Sequence, residues 1–330
     1  LRVHFADAFL VAAVPKPFAP VLSTVAEVDQ VVGLNRKRSG RHRLDAEIEM
    51  LRSGVFDLAV LLPNSFGAAW VARRAGIPER WGAAGNWRRL LLTQAVSLPP
   101  RRSPLLHQAA RYQELLRALG IAPVAPEPSL EVSGRMLGLA RTLLDAASCD
   151  QSRPIIGVAP GAAYGRAKRW LPERYAHVAA RLSGEFDASV VLLGSSHDRD
   201  AGYEIESILA AMSEAATRKR VVNLIGRTDL SELMGLLACC RVLICGDSGA
   251  MHLAAAIGVP VTAIFGPTDD RLTAPVGSHR VLTNPVWCRP CFFRDCPIDH
   301  RCMTRISEER VFRAVSGQLF SSIQALHPTN

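Results

Sequence analysis

The sequence predicts an α/β protein of two doubly wound domains, residues 1–130 and 131–330. Three observations predict it. The 330 residues are 48% hydrophobic and 21% charged, enough apolar material for two cores and too much for a disordered chain. The second half alternates short, continuous apolar runs with amphipathic stretches, the pattern of a parallel sheet covered on both faces. The first half repeats that rhythm more faintly, and a proline-rich stretch from Ile121 to Pro128 separates the two.

In chain order, a strand is expected over Ala8–Val14, another over Leu58–Leu62, and a helix over Gly67–Ala75. Beyond the proline-rich stretch, a helix over Arg135–Ala147 leads into the second domain. Its strands are read as Ile155–Val158, Ser189–Leu193, Val221–Leu224, Arg241–Cys245 and Val261–Phe265. The intervening helices are read as Glu173–Leu182, Arg199–Met212, Leu230–Cys239 and Ala250–Ile257. Ligands of such a sheet bind at the carboxyl ends of its strands. A final helix, Glu308–Leu326, is expected to cross back over the first domain.

Net charge is +9, and its location matters more than its size. Leu1–Val124 holds 17 Lys+Arg against 9 Asp+Glu, and the remainder holds 22 against 21. Basic clusters stand at Arg36-Lys37-Arg38, Arg41/Arg43, Arg73-Arg74, Arg88-Arg89 and Arg101-Arg102. Each cluster alone reads as solvated surface, but their concentration in one domain favours an anionic partner there. Nucleic acid fits poorly, because aromatic residues for base stacking are only 6% of the chain. No apolar run approaches the roughly 20 residues of a membrane helix, and Leu1-Arg2 opens no secretory signal.

Two segments carry candidate chemistry. Gly157-Val-Ala-Pro-Gly-Ala-Ala-Tyr-Gly-Arg-Ala-Lys-Arg-Trp follows a strand directly. Its glycines, Gly161 among them, allow backbone N–H groups close to a ligand, and Lys168 stands at the far end, suited to face phosphate. Only four of the 39 basic residues are lysine, so a lysine here runs against the bias of the chain. The spacing matches neither G-x-x-x-x-G-K-[ST] nor G-x-G-x-x-G, which excludes a P-loop and a dinucleotide fingerprint. An ordinary strand–helix connection remains open for this loop.

The second segment, Gly246-Asp-Ser-Gly-Ala-Met-His, joins a strand to a helix. Helix N-termini carry unpaired N–H groups and about half a positive charge, suited to a diphosphate. Asp247 can accept from sugar hydroxyls, and His252 follows one turn later. The alternative is that Asp247 or Ser248 merely caps the helix. Gly-Asp-Ser-Gly also resembles a serine-protease nucleophile motif, but that motif belongs to an all-β barrel, not to a strand–helix junction.

Eight cysteines occur unevenly. Cys288-x2-Cys291-x4-Cys296-x5-Cys302 spaces four thiols closely enough for tetrahedral zinc, although the second half lacks the usual spacing. Reduced cysteines packed in a loop are the expected reading, with no metal. Cys149, Cys239, Cys240 and Cys245 read as small core residues.

Asp57-Leu-Ala-Val-Leu-Leu-Pro-Asn-Ser-Phe, the Pro160–Trp170 loop, Asn223-Leu-Ile-Gly-Arg-Thr and Gly246–Asp269 together resemble glycosyltransferase family 9. The Cys-Arg-Pro-Cys…Cys-Pro…Cys-Met tail is similar to its heptosyltransferase II branch. The resemblance implies the GT-B architecture, two Rossmann-like domains facing a cleft, in a cytoplasmic enzyme peripheral to the inner membrane. It implies an inverting, metal-independent transfer of heptose from ADP-heptose to the phosphorylated inner core of lipopolysaccharide, with no cofactor. By position, Lys168 would neutralise the departing diphosphate. Gly161, Asp198, Thr228, Asp247, Ser248, Gly249 and His252 would hold the donor. Asn64, Ser65, Arg88 and Arg89 would lie on the acceptor side of the first domain.

In the family, a general-base Asp sits in a Gly-Asp loop after the first strand. Leu1–Ala8 resembles the end of the helix that follows that loop, so the strand and the base are not in this chain, and Asp7 is not that base. Two other readings remain open. One is a catalytically inactive sugar-nucleotide-binding protein; the other is an ADP-sugar transferase with a different glycan or protein acceptor.

Overall fold

In the computed structural model, the apolar runs of the second half lie side by side in a single sheet. The structure describes residues 1–35, 41–99, 106–123, 127–212 and 214–326, and of 41–43, 216 and 321–326 the backbone alone. Arg36-Lys37-Arg38 and Arg101-Arg102 lie outside the described residues, as do the side chains of Arg41 and Arg43. The chain divides into two units, Leu1–Pro126 and Glu127–Asn330. No helix among the described residues is long and apolar enough to cross a membrane.

The first unit runs β1 (Val11–Pro15), α1 (Ala19–Leu22), β2 (Gln30–Leu34), α2 (Arg41–Ser53), β3 (Leu58–Leu61), α3 (Phe66–Arg74), β4 (Glu79–Ala83), β5 (Gln94–Val96) and α4 (Gln108–Ala118). β1 and β2 pair in parallel with Val11 opposite Gln30, while β3, β4 and β5 form a second parallel sheet in that order. Leu44, Ile48 and Leu51 recur at helical spacing on α2 and pack against Val71 and Ala72 of α3 and against Ala75 just after it. A second small core joins Ala83 of β4 to Leu115 of α4 and to Leu119 and Ile121 just after it. Leu1–Ala8, expected to end a helix, instead forms hydrogen-bonded turns with one helical bond, from the Phe5 N–H to the Leu1 carbonyl. Tertiary contacts hold it: the Phe5 ring lies 6.1 Å from Trp81, and Arg2 donates to Ala8, Glu27 and Asp29.

The second unit runs α5 (Gly134–Ala146), β6 (Ile155–Ala159), α6 (Pro172–Glu185), β7 (Ser189–Leu192), α7 (Arg199–Met212), α8 (Ala215–Lys219), β8 (Val221–Asn223), α9 (Leu230–Cys239), β9 (Val242–Gly246), α10 (Gly249–Ile257), β10 (Val261–Phe265), α11 (Asp270–Thr273), β11 (His279–Thr283), α12 (Arg301–Thr304) and α13 (Glu308–Leu326). Its six strands are parallel in the order β11-β10-β9-β6-β7-β8. Every residue of β6, β7, β9 and β10 is buried, because both faces are covered. Alternate residues divide between two cores. Ile156, Val158, Val190, Leu192, Val242 and Ile244 face α6, α7 and α13. Ile155, Ala159, Val191, Leu193, Leu243 and Cys245 face α5, α9 and α10. Each valine, leucine or isoleucine among them, fully buried, contributes about 1.5–3 kcal/mol of hydrophobic stabilisation.

β6 is central. The chain first adds β7 and β8 on one side of it, then returns to add β9, β10 and β11 on the other. The strand order therefore reverses between β6 and β9, and at such a switch point the loops leaving adjacent strands diverge to open a crevice at their carboxyl ends.

Candidate functional site

The two segments singled out in the sequence leave the sheet at that reversal, one after β6 and the other after β9. The loop after β6 ends in a tight turn over Arg166–Lys168, and Lys168 returns across the end of β9. Gly246, the last residue of β9, permits this: a Cβ there would press on the Lys168 carbonyl at 3.2 Å. Lys168 Nζ lies 2.6 Å from Asp247 Oδ2, with side-chain exposures of 14% and 9%. Partly withdrawn from water, this pair is screened less than a surface ion pair. The Tyr164 ring centroid lies 5.1 Å from Lys168 Nζ, within cation–π range.

Beside this cation, α10 begins. Ser248 is its N-cap, yet the hydroxyl makes no capping bond, and Ser248 Oγ is buried with no hydrogen-bond partner. Gly249 opens the helix with empty space where a side chain would stand. The first-turn N–H groups, the Ser248 hydroxyl and the Lys168 ammonium are thus gathered at one place, an arrangement suited to a phosphate or diphosphate. His252 is exposed on the first turn of α10.

Gly161 and Asp198 meet at the end of β7. Asp198 is 8% exposed and closes a capping box with Ser195, accepting from its N–H at 3.0 Å and its hydroxyl at 2.7 Å. Its other oxygen lies 3.6 Å from Arg169 Nη2. A Cβ at Gly161 would overlap the Asp198 carboxylate, so glycine is required to bring the loop against the end of β7. These residues shape the loop. Thr228 is half-buried next to Asp229, the N-cap of α9, in the loop after β8. β8 is two strands from β6, about 10 Å at ~4.8 Å per strand.

In the first unit, Asn64 and Ser65 are exposed at the carboxyl end of β3. The Ser65 hydroxyl caps α3, accepting from the Ala68 N–H at 3.3 Å. The Asn64 carbonyl accepts from Asn86 Nδ2 at 2.5 Å. Arg88 lies beneath these loops. It is fully buried, and its guanidinium donates to the carbonyls of Ala83 and Pro63. It braces the loops that carry Asn64 and Ser65 and does not face solvent. Burial pulls its pKa below the ordinary guanidinium value, although it stays charged at neutral pH. Arg89, its neighbour, is exposed.

All eight cysteines are free thiols. Among the described residues no three His, Cys, Asp or Glu side chains are placed to hold a metal ion. Cys302 is buried, and a Cβ at Gly266 would stand 3.3 Å from its sulfur. Burial, reinforced by the charges of Cys291, Cys288 and Cys296, pushes its thiol up to about 11. The Cys291 N–H donates to the Pro267 carbonyl at 3.0 Å.

Sequence reasoning missed several residues at this site. Tyr164 and Arg169 lie within the recognised loop but lack distinctive spacing. Arg289 donates to the carbonyls of Gly266 and Thr268 and to Asp270, fixing the turn after β10. His300 reaches Ala167, 133 positions away, and no local pattern encodes that.

A parallel, doubly wound unit with a cation, a buried hydroxyl and a helix N-terminus at its switch point defines a Rossmann-like binder of phosphorylated ligands. Comparison with known proteins narrows the class. The family model for glycosyltransferase family 9 (heptosyltransferase) matches residues 45–301. Lipopolysaccharide heptosyltransferase 2 of Escherichia coli K12 is 35% identical over 291 residues, 85% of this chain and 80% of that protein. Lipooligosaccharide heptosyltransferase 2 of Haemophilus influenzae is 31% identical over 294 residues, 86% and 81% of the two chains. The solved structure of E. coli ADP-heptose LPS heptosyltransferase II superposes with a TM-score of 0.79 at 28% identity, covering 97% of this chain and 92% of that one. The chain belongs to glycosyltransferase family 9, and its fold class is GT-B.

Proposed function

We propose that this protein transfers heptose from ADP-heptose to the phosphorylated inner core of lipopolysaccharide, a reading supported by its similarity to proteins named lipopolysaccharide heptosyltransferase 2. The observation that carries the reading is the meeting of Lys168 with the Asp247–Ser248 helix start at the switch point. The diphosphate of the donor lies against the first turn of α10, hydrogen-bonded by the N–H groups there and by the Ser248 hydroxyl. Lys168, aimed by Asp247, faces the same diphosphate. As an acceptor hydroxyl attacks the anomeric carbon with inversion, its proton passes to solvent water, the glycosidic bond to phosphate breaks and negative charge grows on the departing ADP. Fixed positive charge is already in place there, so little reorganisation is needed as the charge develops. Asp198 and Gly161 keep the loop in register, and His252 reaches the donor from the first turn of α10.

The first unit receives the acceptor. Its excess of basic residues suits a phosphorylated, lipid-linked glycan; Asn64 and Ser65 present polar groups after β3, and Arg89 is exposed in the turn between β4 and β5. Such an acceptor brings the enzyme to the cytoplasmic face of the inner membrane as a peripheral protein. Basic residues near that anionic surface contribute about 1 kcal/mol each.

Titration calorimetry with ADP-heptose, UDP-sugars and GDP-sugars tests the donor. ADP-heptose is expected to bind, and preference for a UDP-sugar overturns the assignment. Transfer of labelled heptose to a lipopolysaccharide truncated in the inner core tests the acceptor.

A further inference from the structure

The cysteine-bearing segment from Cys288 to Arg301 is not used by the reaction above, yet it holds the loop that ends in Lys168. Ala167, immediately before Lys168 and 3% exposed, is gripped at both backbone groups. Its N–H donates to the Arg294 carbonyl at 2.9 Å, and its carbonyl bonds His300 Nε2 at 2.7 Å. Since a carbonyl only accepts, Nε2 carries the proton in this bond. The His300 backbone N–H donates to Cys296 Sγ at 3.3 Å. The Tyr164 hydroxyl donates to the Phe292 carbonyl at 3.3 Å, and the Arg294 guanidinium lies 5.1 Å from the same ring that Lys168 approaches.

Two further features mark this as a built contact. At Gly165 a Cβ would collide with the backbone of Arg294, so glycine is needed for the two chains to pass. His300 and Phe292 both adopt left-handed backbone, with φ of 56° and 57°. Non-glycine residues keep that conformation only where their surroundings impose it, and here it places His300 against Ala167 and Phe292 against Tyr164.

We infer that the Cys288–Arg301 segment is a strap that positions Lys168, with His300 as the positioning residue. It acts through the Ala167 peptide and sets the affinity for the diphosphate end of the donor. The inference rests on the donor reading proposed above, and its test separates the two.

Hydrogen–deuterium exchange of the peptide spanning Gly165–Arg169 and calorimetric titration with ADP are to be measured on the full chain and on His300→Ala, His300→Gln and Gly165→Ala. In His300→Ala, exchange at Ala167 and Lys168 is expected to rise, and ADP binding to weaken about tenfold, the scale of one lost hydrogen bond. The donor KM should rise with it while the acceptor KM stays unchanged. His300→Gln, whose amide can donate to the same carbonyl, should restore most of both, and Gly165→Ala should reproduce the loss. Unchanged exchange across Gly165–Arg169 in His300→Ala overturns the strap, as does an increase spread evenly over the second unit or a failure of His300→Gln to rescue. Should the unaltered protein bind no ADP, the donor reading fails, and the exchange data still decide the strap.

Discussion

Lys168 and Asp247 are 79 positions apart in sequence and 2.6 Å apart in space, joined where the order of the central sheet reverses. The pair fixes the direction of the ammonium, which free in solvent would sample many rotamers. A ligand bearing a diphosphate meets a lysine already aimed, so less conformational entropy is lost when it binds.

Lys168→Ala is expected to lower the rate of heptose transfer about 10²–10³-fold, the usual consequence of removing one preorganised group that stabilises transition-state charge. It also leaves Asp247 without its partner, which costs roughly 1–3 kcal/mol of stability. The double variant Lys168→Ala/Asp247→Asn should recover that stability in urea unfolding and should not recover transfer. Recovery of both would place the role of Lys168 in folding alone.

Gly161→Ala introduces a methyl group where the Asp198 carboxylate lies. Either the loop shifts away from the end of β7 or the Ser195–Asp198 capping box opens. Overpacking of this kind costs about 1–3 kcal/mol. Thermal unfolding should show the loss, and ADP affinity should fall with it because the displaced loop carries Lys168. Combining the change with Asp198→Ala, which clears the space, should cost less than the two single changes added together.

The second unit was legible in the sequence because its strands are buried on both faces. Runs such as Val190–Leu193 and Leu243–Cys245 carry no polar residue, and α7, α9, β10 and α13 have the bounds read from the pattern. β11, with exposed His279 and Arg280 at the edge of the sheet, offered no such run and was missed. The first unit was harder because its strands are only partly buried. β4 begins Glu-Arg-Trp, and β5 has just three residues. The helical spacing of Leu44, Ile48 and Leu51 in α2 was readable but went unused. At the site, sequence supplied the residues whose chemistry meets a diphosphate. It did not supply the contacts that bring distant segments together, such as Asp198 on Gly161 or His300 on Ala167.

Arg88 and Arg89 show why composition alone misassigns a basic cluster. Identical in hydropathy, one is fully buried and the other exposed. Arg88→Ala removes the donor to the Ala83 and Pro63 carbonyls and leaves a cavity, with an expected loss of roughly 3–5 kcal/mol. Arg89→Ala should change stability by no more than about 0.5 kcal/mol. Acceptor KM should rise for Arg89→Ala at unchanged donor KM. Equal losses of stability in the two variants would contradict the burial described.

Cys302 gives the second unit a dependence on alkaline pH. Its thiol is held neutral by burial up to about pH 11, against a reference value of 9.0. Below pH 9 the folded and unfolded states both keep the proton, and the stabilising contribution is fully present. Between pH 9 and about 11 the unfolded chain releases the proton while the folded one does not, so the balance moves toward unfolding as pH rises. Across that window the loss from this group is on the order of 2–3 kcal/mol at most. Cys240 and Cys245 are also pushed up by burial, so the informative quantity is the difference between the unaltered protein and Cys302→Ala. That variant begins less stable, having lost a buried sulfur, and the gap between the two should narrow from pH 9 to 11 in chemical unfolding. Alkylation in the native state at pH 8 should reach Cys302 more slowly than the partly exposed Cys288, Cys291 and Cys296. A gap that stays constant across the window would mean that the Cys302 thiol titrates alike in the folded and unfolded chains.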